Sequence, residues 1–156
     1  MSPAYLMSAA SLKQGRSSDT QWLFELFRAT NRDYIDSTWG WDELLQREAF
    51  FTNLPGTQFR ILELNGKAVG GYHLANKQDH LWLEMILVDP ACQRQRLGTL
   101  MMHELKERAQ AAGLPVRLSV LRVNPALHFY SAQGFETVAE DQFSLKMQWQ
   151  SQGASE

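Results

Sequence analysis

Residues 81–112 read LWLEMILVDPACQRQRLGTLMMHELKERAQAA. The run Leu81 to Val88 is apolar enough for a buried or half-buried strand, Asp89-Pro90 breaks it, and Gln93 to Thr99 leads into a helical pattern. Leu97, Met101, Leu105, Ala109 and Ala112 fall on one stripe of that helix, which Gly113 and Pro115 stop. Strand, short loop and helix start make a natural anion site, because the first amides of a helix lack intrahelical acceptors and carry the positive end of the macrodipole. Arg94 and Arg96 add charge at the same place. The loop has neither the Gly-x4-Gly-Lys-Ser/Thr of a nucleotide P-loop nor the Gly-x-Gly-x-x-Gly of a dinucleotide site.

Outward from this stretch, strands and helices alternate. Phe59 to Leu64 and Ala68 to Ala75 flank Asn65-Gly66, a strong hairpin signal because both turn residues tolerate positive φ. Val116 to Val123 is the next expected strand, Pro125 to Gln133 a short helix, and Phe135 to Ala139 with Phe143 to Trp149 a closing hairpin. Towards the N-terminus, Tyr5 to Ala10 is expected to be a short strand and Gln14 to Asp19 a turn. A helix capped by Asp19 or Thr20 follows, is interrupted by Asp36 to Gly40, and gives way to a second helix from Trp41 to Phe51. This order predicts an α/β (α+β) fold: one domain over residues 1–156, with a mixed, mostly antiparallel sheet and about four flanking helices.

At 156 residues, with 44% hydrophobic and 21% charged residues and a net charge of −2, the composition is that of an ordinary globular domain. It offers no global cationic field to gather nucleic acid. No stretch approaches the about 18 apolar residues of a membrane span, and Met1 to Ala10 has no basic leader region. Cys92, the single cysteine, is compatible with a reducing compartment. The expectation is a cytoplasmic protein that binds neither nucleic acid nor membrane. His73, His80 and His103 show no metal-ligand spacing with Cys92 or one another, so no metal is expected.

Two motifs in the right order carry a family resemblance. Gln93 and Gly98 match the Gln/Arg-x-x-Gly-x-Gly/Ala pyrophosphate loop of the GNAT superfamily of N-acetyltransferases, with Arg96 in the first glycine position. Asn124-Pro125-Ala126 through Tyr130 to Gly134-Phe135 resembles that superfamily's Asn-Pro-Ala-x-x-x-Tyr-x-x-x-Gly-Phe segment. The resemblance is good from about Phe59 to Trp149 and poor over the first 58 residues, where this superfamily builds its acceptor pocket. It implies a sheet splayed between the fourth and fifth strands, with acetyl-CoA held there as acyl donor. Donor contacts are then expected from Leu87, Val88, Gln93, Arg94, Gln95, Arg96, Leu97, Gly98, Thr99 and Asn124, a backbone amide near Leu87 or Val88 meeting the thioester oxygen. If the Arg96 position needs positive φ, arginine there is strained by about 1 kcal/mol relative to glycine.

Acetyl transfer to an amine needs a neutral nitrogen and a proton for the departing thiolate. Glu84, inside an apolar run and on one face with Ile86 and Val88, is the candidate base, and burial would raise its pKa; the competing reading is an exposed carboxylate paired with a basic neighbour. Tyr130 is the candidate acid toward the sulfur, although a helix tyrosine is ordinarily packing. Asn124 also suits a simple helix cap, and His128 a surface position. Cys92 lacks a histidine partner nearby in sequence, which favours direct transfer in a ternary complex over a thiol intermediate.

Tyr34, Trp39, Trp41 and Asp42 lie in an aromatic and acidic segment suited to a cationic acceptor, a small primary amine. The same residues read equally as wall packing and helix N-terminal charge. A peptide or protein acceptor, or a non-catalytic acyl-CoA sensor on the same fold, stays open, as does a homodimer through sheet edges.

Overall fold

A computed structural model describes residues 9–93 and 96–151. Its strands hydrogen-bond in the order β1-β2-β3-β4-β5-β7-β6. They are β1 (Ala10–Gln14), β2 (Phe59–Leu64), β3 (Lys67–Asn76), β4 (Leu81–Val88), β5 (Val116–Leu121), β6 (Glu136–Glu140) and β7 (Ser144–Trp149). Four α-helices occur among the described residues: α1 (Thr20–Trp39), α2 (Glu43–Asn53), α3 (Leu97–Ala112) and α4 (Ala126–Ala132). This is the expected α/β class with a mixed sheet: β4 and β5 are parallel, whereas β1–β2, β2–β3, β5–β7 and β6–β7 are antiparallel. The parallel ladder registers only at Leu81↔Val116 and Trp82↔Arg117, while β5–β7 runs from Val116↔Trp149 to Leu121↔Ser144.

The chain packs as two compact units, Met1–His73 with Met85–Met101 and Leu74–Glu84 with Met102–Glu156. The first has an aromatic core in which Leu23, Phe24 and Leu26 of α1, Phe50 of α2, Phe59 and Ile61 of β2 and Leu87 of β4 are buried together. Phe50 meets Phe24 edge-on at 5.6 Å and stacks on Phe59 at 6.1 Å, geometries that add to the area each ring buries. Gly70 of β3 admits no side chain, since a Cβ there would lie 2.5 Å from the Leu87 carbonyl oxygen; this close approach seats the end of β4. The second unit buries Leu105 and Ala109 of α3, Val116, Leu118 and Val120 of β5, Phe135 and Met147.

Several boundaries differ from the sequence reading, each for a local or pairing reason. The first strand is Ala10–Gln14, fixed by its register with β2 (Leu12↔Leu62, Lys13↔Ile61) and a Lys13–Glu63 ion pair of 2.6 Å; most of Tyr5 to Ala10 lies outside the described residues. Helix α1 is not interrupted at Asp36. It continues to Trp39, with the Ser37 and Thr38 hydroxyls donating back to the Tyr34 carbonyl (3.1 and 2.8 Å) instead of forming a turn, and it stops at Gly40, whose φ is +86°. Helix α2 begins at Glu43 rather than Trp41, with Asp42 as its cap. Strand β5 ends at Leu121, where the turn toward Asn124 begins. The Asn65-Gly66 hairpin forms as expected, with φ of +54° and +80°. No helix among the described residues is long and apolar enough to cross a membrane.

Candidate functional site

Strand β4 turns Leu81, Leu83 and Leu87 to the buried side and Trp82, Glu84, Ile86 and Val88 to the other. The expected burial of Glu84 does not occur. Its carboxylate is exposed, and among the described residues it accepts the Trp82 indole N–H at 2.6 Å. The physical reason is that this face is only partly covered, Trp82, Ile86 and Val88 on it being half-buried, while alternation sets a long amphipathic ring two residues before Glu84 on the same face. The Lys146 ammonium lies 5.5 Å over the Trp82 ring, so the ring that holds the carboxylate is itself held. Sequence reasoning missed Trp82; its i, i+2 spacing to Glu84 was the available signal.

Past Val88 the chain turns on Asp89. Its carboxylate accepts the Ala91 N–H at 2.9 Å, its carbonyl accepts the Cys92 N–H at 2.8 Å, and its own N–H donates to the Val69 carbonyl at 2.7 Å. These bonds fix the start of the loop to β3. The Gln93 side-chain amide reaches back to the Val88 carbonyl at 3.5 Å, a long contact. Arg94 and Gln95 lie outside the described residues. Arg96 is exposed and has φ +61°, so the position that glycine holds in the family pattern is left-handed here, and the arginine bears strain of about 1 kcal/mol. The Arg96 carbonyl accepts the Leu100 N–H at 3.1 Å and starts α3. The amides of Leu97, Gly98 and Thr99 therefore precede the first intrahelical donor, the condition for receiving an anion. Leu97 anchors this turn by burial while Thr99 is exposed.

In α4, Tyr130 is buried and its ring meets Phe129 and Phe135 edge-on at 5.7 and 5.9 Å. Burial pushes its phenol well above the ordinary tyrosine value, so it keeps its proton at neutral pH. The Asn124 side chain accepts the Ala126 N–H at 2.9 Å and so serves as a cap at the start of α4. His128 is exposed.

The acceptor-side candidates separate. Trp41 is half-buried against the Phe27 ring at 6.0 Å, its backbone N–H donates to Asp36 at 2.9 Å, and its indole donates to Glu43 at 2.9 Å. Asp42 caps α2 by accepting the Leu45 N–H at 3.0 Å. The Trp41 indole and the Arg28 guanidinium, 2.5 Å from Glu43, hold the Glu43 carboxyl below its usual range. Tyr34 is half-buried, while Trp39 is 61% exposed. Among the described residues, no three His, Cys, Asp or Glu side chains are grouped to hold a metal ion.

Solved structures of the same fold are numerous. PaiA N-acetyltransferase from Thermoplasma acidophilum, in complex with coenzyme A, superposes with a TM-score of 0.75 at 16% identity over 90% of this chain and 98% of its own. The ribosomal-protein-S18-alanine N-acetyltransferase of Escherichia coli gives 0.71 at 19% identity, covering 91% of this chain and 94% of its own. N-acetylglutamate synthase from Neisseria gonorrhoeae, with coenzyme A and N-acetyl-glutamate, gives 0.68 at 17% identity over 91% of this chain and 35% of its own. No curated protein matches the chain in sequence. The sequence model of the acetyltransferase (GNAT) family matches residues 21–135, and with the fold and the loop geometry this makes the chain a member of the acetyltransferase (GNAT) family.

Proposed function

We propose that this chain transfers the acetyl group of acetyl-CoA, the family's donor, directly to the primary amine of a small molecule. The observation that carries the reading is Glu84: an exposed carboxylate in an otherwise apolar strand, oriented by the Trp82 indole, which the fold itself does not require. Glu84 takes a proton from the incoming ammonium, directly or through water, and frees the nitrogen lone pair. The nitrogen attacks the thioester carbon, a backbone amide near Leu87 or Val88 steadies the oxygen, and the carbon–sulfur bond breaks. Tyr130, whose burial disfavours a lasting tyrosinate, gives its proton to the departing thiolate and regains one from the second proton that the attacking nitrogen sheds as the amide forms. The amides at the start of α3, with Gln93, Arg94, Gln95 and Arg96, receive the donor's pyrophosphate, and the family resemblance assigns Asn124 to its pantetheine arm. No cysteine intermediate is needed.

A cationic small acceptor is favoured by the exposed Trp39 and the exposed Asp33 on the same helix, which attract an ammonium without requiring an extended chain. Release of free thiol from acetyl-CoA, measured with amino acids, polyamines and amino sugars beside short peptides, tests the reading. Turnover with a small amine is the expected result. Turnover with peptides alone would replace it with a peptide or protein acceptor, and tight donor binding without turnover on any acceptor would leave a sensor.

A further inference from the structure

Helix α4 has seven residues, too few to hold its shape alone, yet it carries Tyr130. Its C-terminal end is bound from several sides. The Tyr130 carbonyl accepts the N–H groups of Gln133 and Phe135 at 3.1 and 3.0 Å. The Gln133 carbonyl, just past the helix, accepts the Lys106 ammonium of α3 at 2.5 Å, and the Gln133 side-chain oxygen lies 3.5 Å from the same nitrogen. Lys106 Nζ also sits 5.2 Å over the Trp149 ring of β7, and that ring is what a side chain at Gly134, where φ is +93°, would meet first. A cation at this end of a helix opposes the negative end of its dipole.

We propose that Lys106 is a positioning residue for Tyr130: its ammonium clamps the end of α4 and thereby fixes the phenol. This rests on the assignment of Tyr130 to the donor sulfur made above. Burial pushes the Lys106 ammonium below the ordinary lysine range, so the charge is kept against a desolvation penalty, which packing alone would not require. Methionine would fill the same space without the penalty.

The test needs no acceptor. Coenzyme A and desulfo-coenzyme A, which has hydrogen in place of the thiol, are titrated by calorimetry into wild type, Tyr130→Phe, Lys106→Met, Lys106→Arg and the Tyr130→Phe/Lys106→Met double variant. If the phenol meets the sulfur, wild type prefers coenzyme A by about fivefold, one ordinary hydrogen bond, and Tyr130→Phe abolishes the preference. Lys106→Met is expected to abolish it too while leaving desulfo-coenzyme A affinity unchanged, Lys106→Arg to restore it, and the double variant to lose nothing more. A Lys106→Met protein that keeps the preference, or that weakens both ligands equally, overturns the positioning role. A wild-type protein without the preference, or a Tyr130→Phe variant that keeps it, instead overturns the Tyr130 assignment and the clamp with it. Should Lys106→Met not fold, Lys106→Gln carries the same comparison.

Discussion

Residues 33–43 and 81–99 are both rich in side chains capable of chemistry, and the fold uses them differently. In the first stretch the polar groups have structural work: Asp36 receives the Trp41 backbone, Asp42 caps α2, and Glu43 joins the Trp41 indole to Arg28. In the second, Glu84 is an exposed charge in an apolar strand, and Arg96 sits exposed in a left-handed conformation that strains it by about 1 kcal/mol. A residue the fold needs explains itself by its contacts. One that the fold tolerates at a cost asks for a functional explanation.

Four substitutions break or sharpen this contrast. The largest effect is expected from Glu84→Gln, which removes a base but little packing. The rate constant should fall by about 10²- to 10³-fold while unfolding stability stays within about 0.5 kcal/mol, read by steady-state kinetics and thermal melts. A large loss of stability with normal turnover would place Glu84 with the structural residues. Asp42→Ala should act the other way, lowering stability by about 1 kcal/mol through loss of the cap. A raised acceptor KM with an unchanged melting temperature would move Asp42 into the pocket and erase the contrast.

Arg96→Gly relieves left-handed strain but frees the unfolded chain, so stability should rise by less than about 1 kcal/mol. Donor affinity should fall severalfold in the same protein, by calorimetry. Equal or tighter binding would mean that the strain serves nothing at the loop. The smallest effect concerns the β6–β7 turn, where the Asp141 carboxylate accepts the Phe143 and Ser144 N–H groups at 2.8 Å and the Ser144 hydroxyl at 3.1 Å. These bonds hold its carboxyl below the ordinary value of 3.8. A lowered folded-state value contributes stability above 3.8 that is lost as pH falls through the folded value. Wild type should therefore melt slightly higher than Asp141→Asn near about pH 6, and the gap should close toward about pH 2. A constant gap would contradict the assignment.

What the sequence disclosed depended on how local the deciding physics was. Strand β4, helix α3 and the Asn65-Gly66 turn follow from periodicity and turn chemistry within a few residues, and they stand where expected. The extension of α1 through Ser37 and Thr38 was not legible, because side chains that here bond back to Tyr34 within a helix serve turns as readily in a bare sequence. The position of β1 was set by its register with β2, some fifty residues away. At the site, the strand face of Glu84 was legible but its exposure was not, because exposure depends on what covers that face. The left-handed backbone at Arg96 was readable only as a condition on the loop, and the Lys106–Gln133 contact, 27 residues apart in the chain, left no sequence signal.

The central claim is that the loop from β4 into α3 holds the acetyl donor. Calorimetric titration of acetyl-CoA into wild type and an Arg94→Ala/Arg96→Ala variant tests it directly. Micromolar binding that weakens about tenfold in the variant is the predicted result, two charge contacts to phosphate being lost. No binding by the wild type, or equal binding by both proteins, would contradict it.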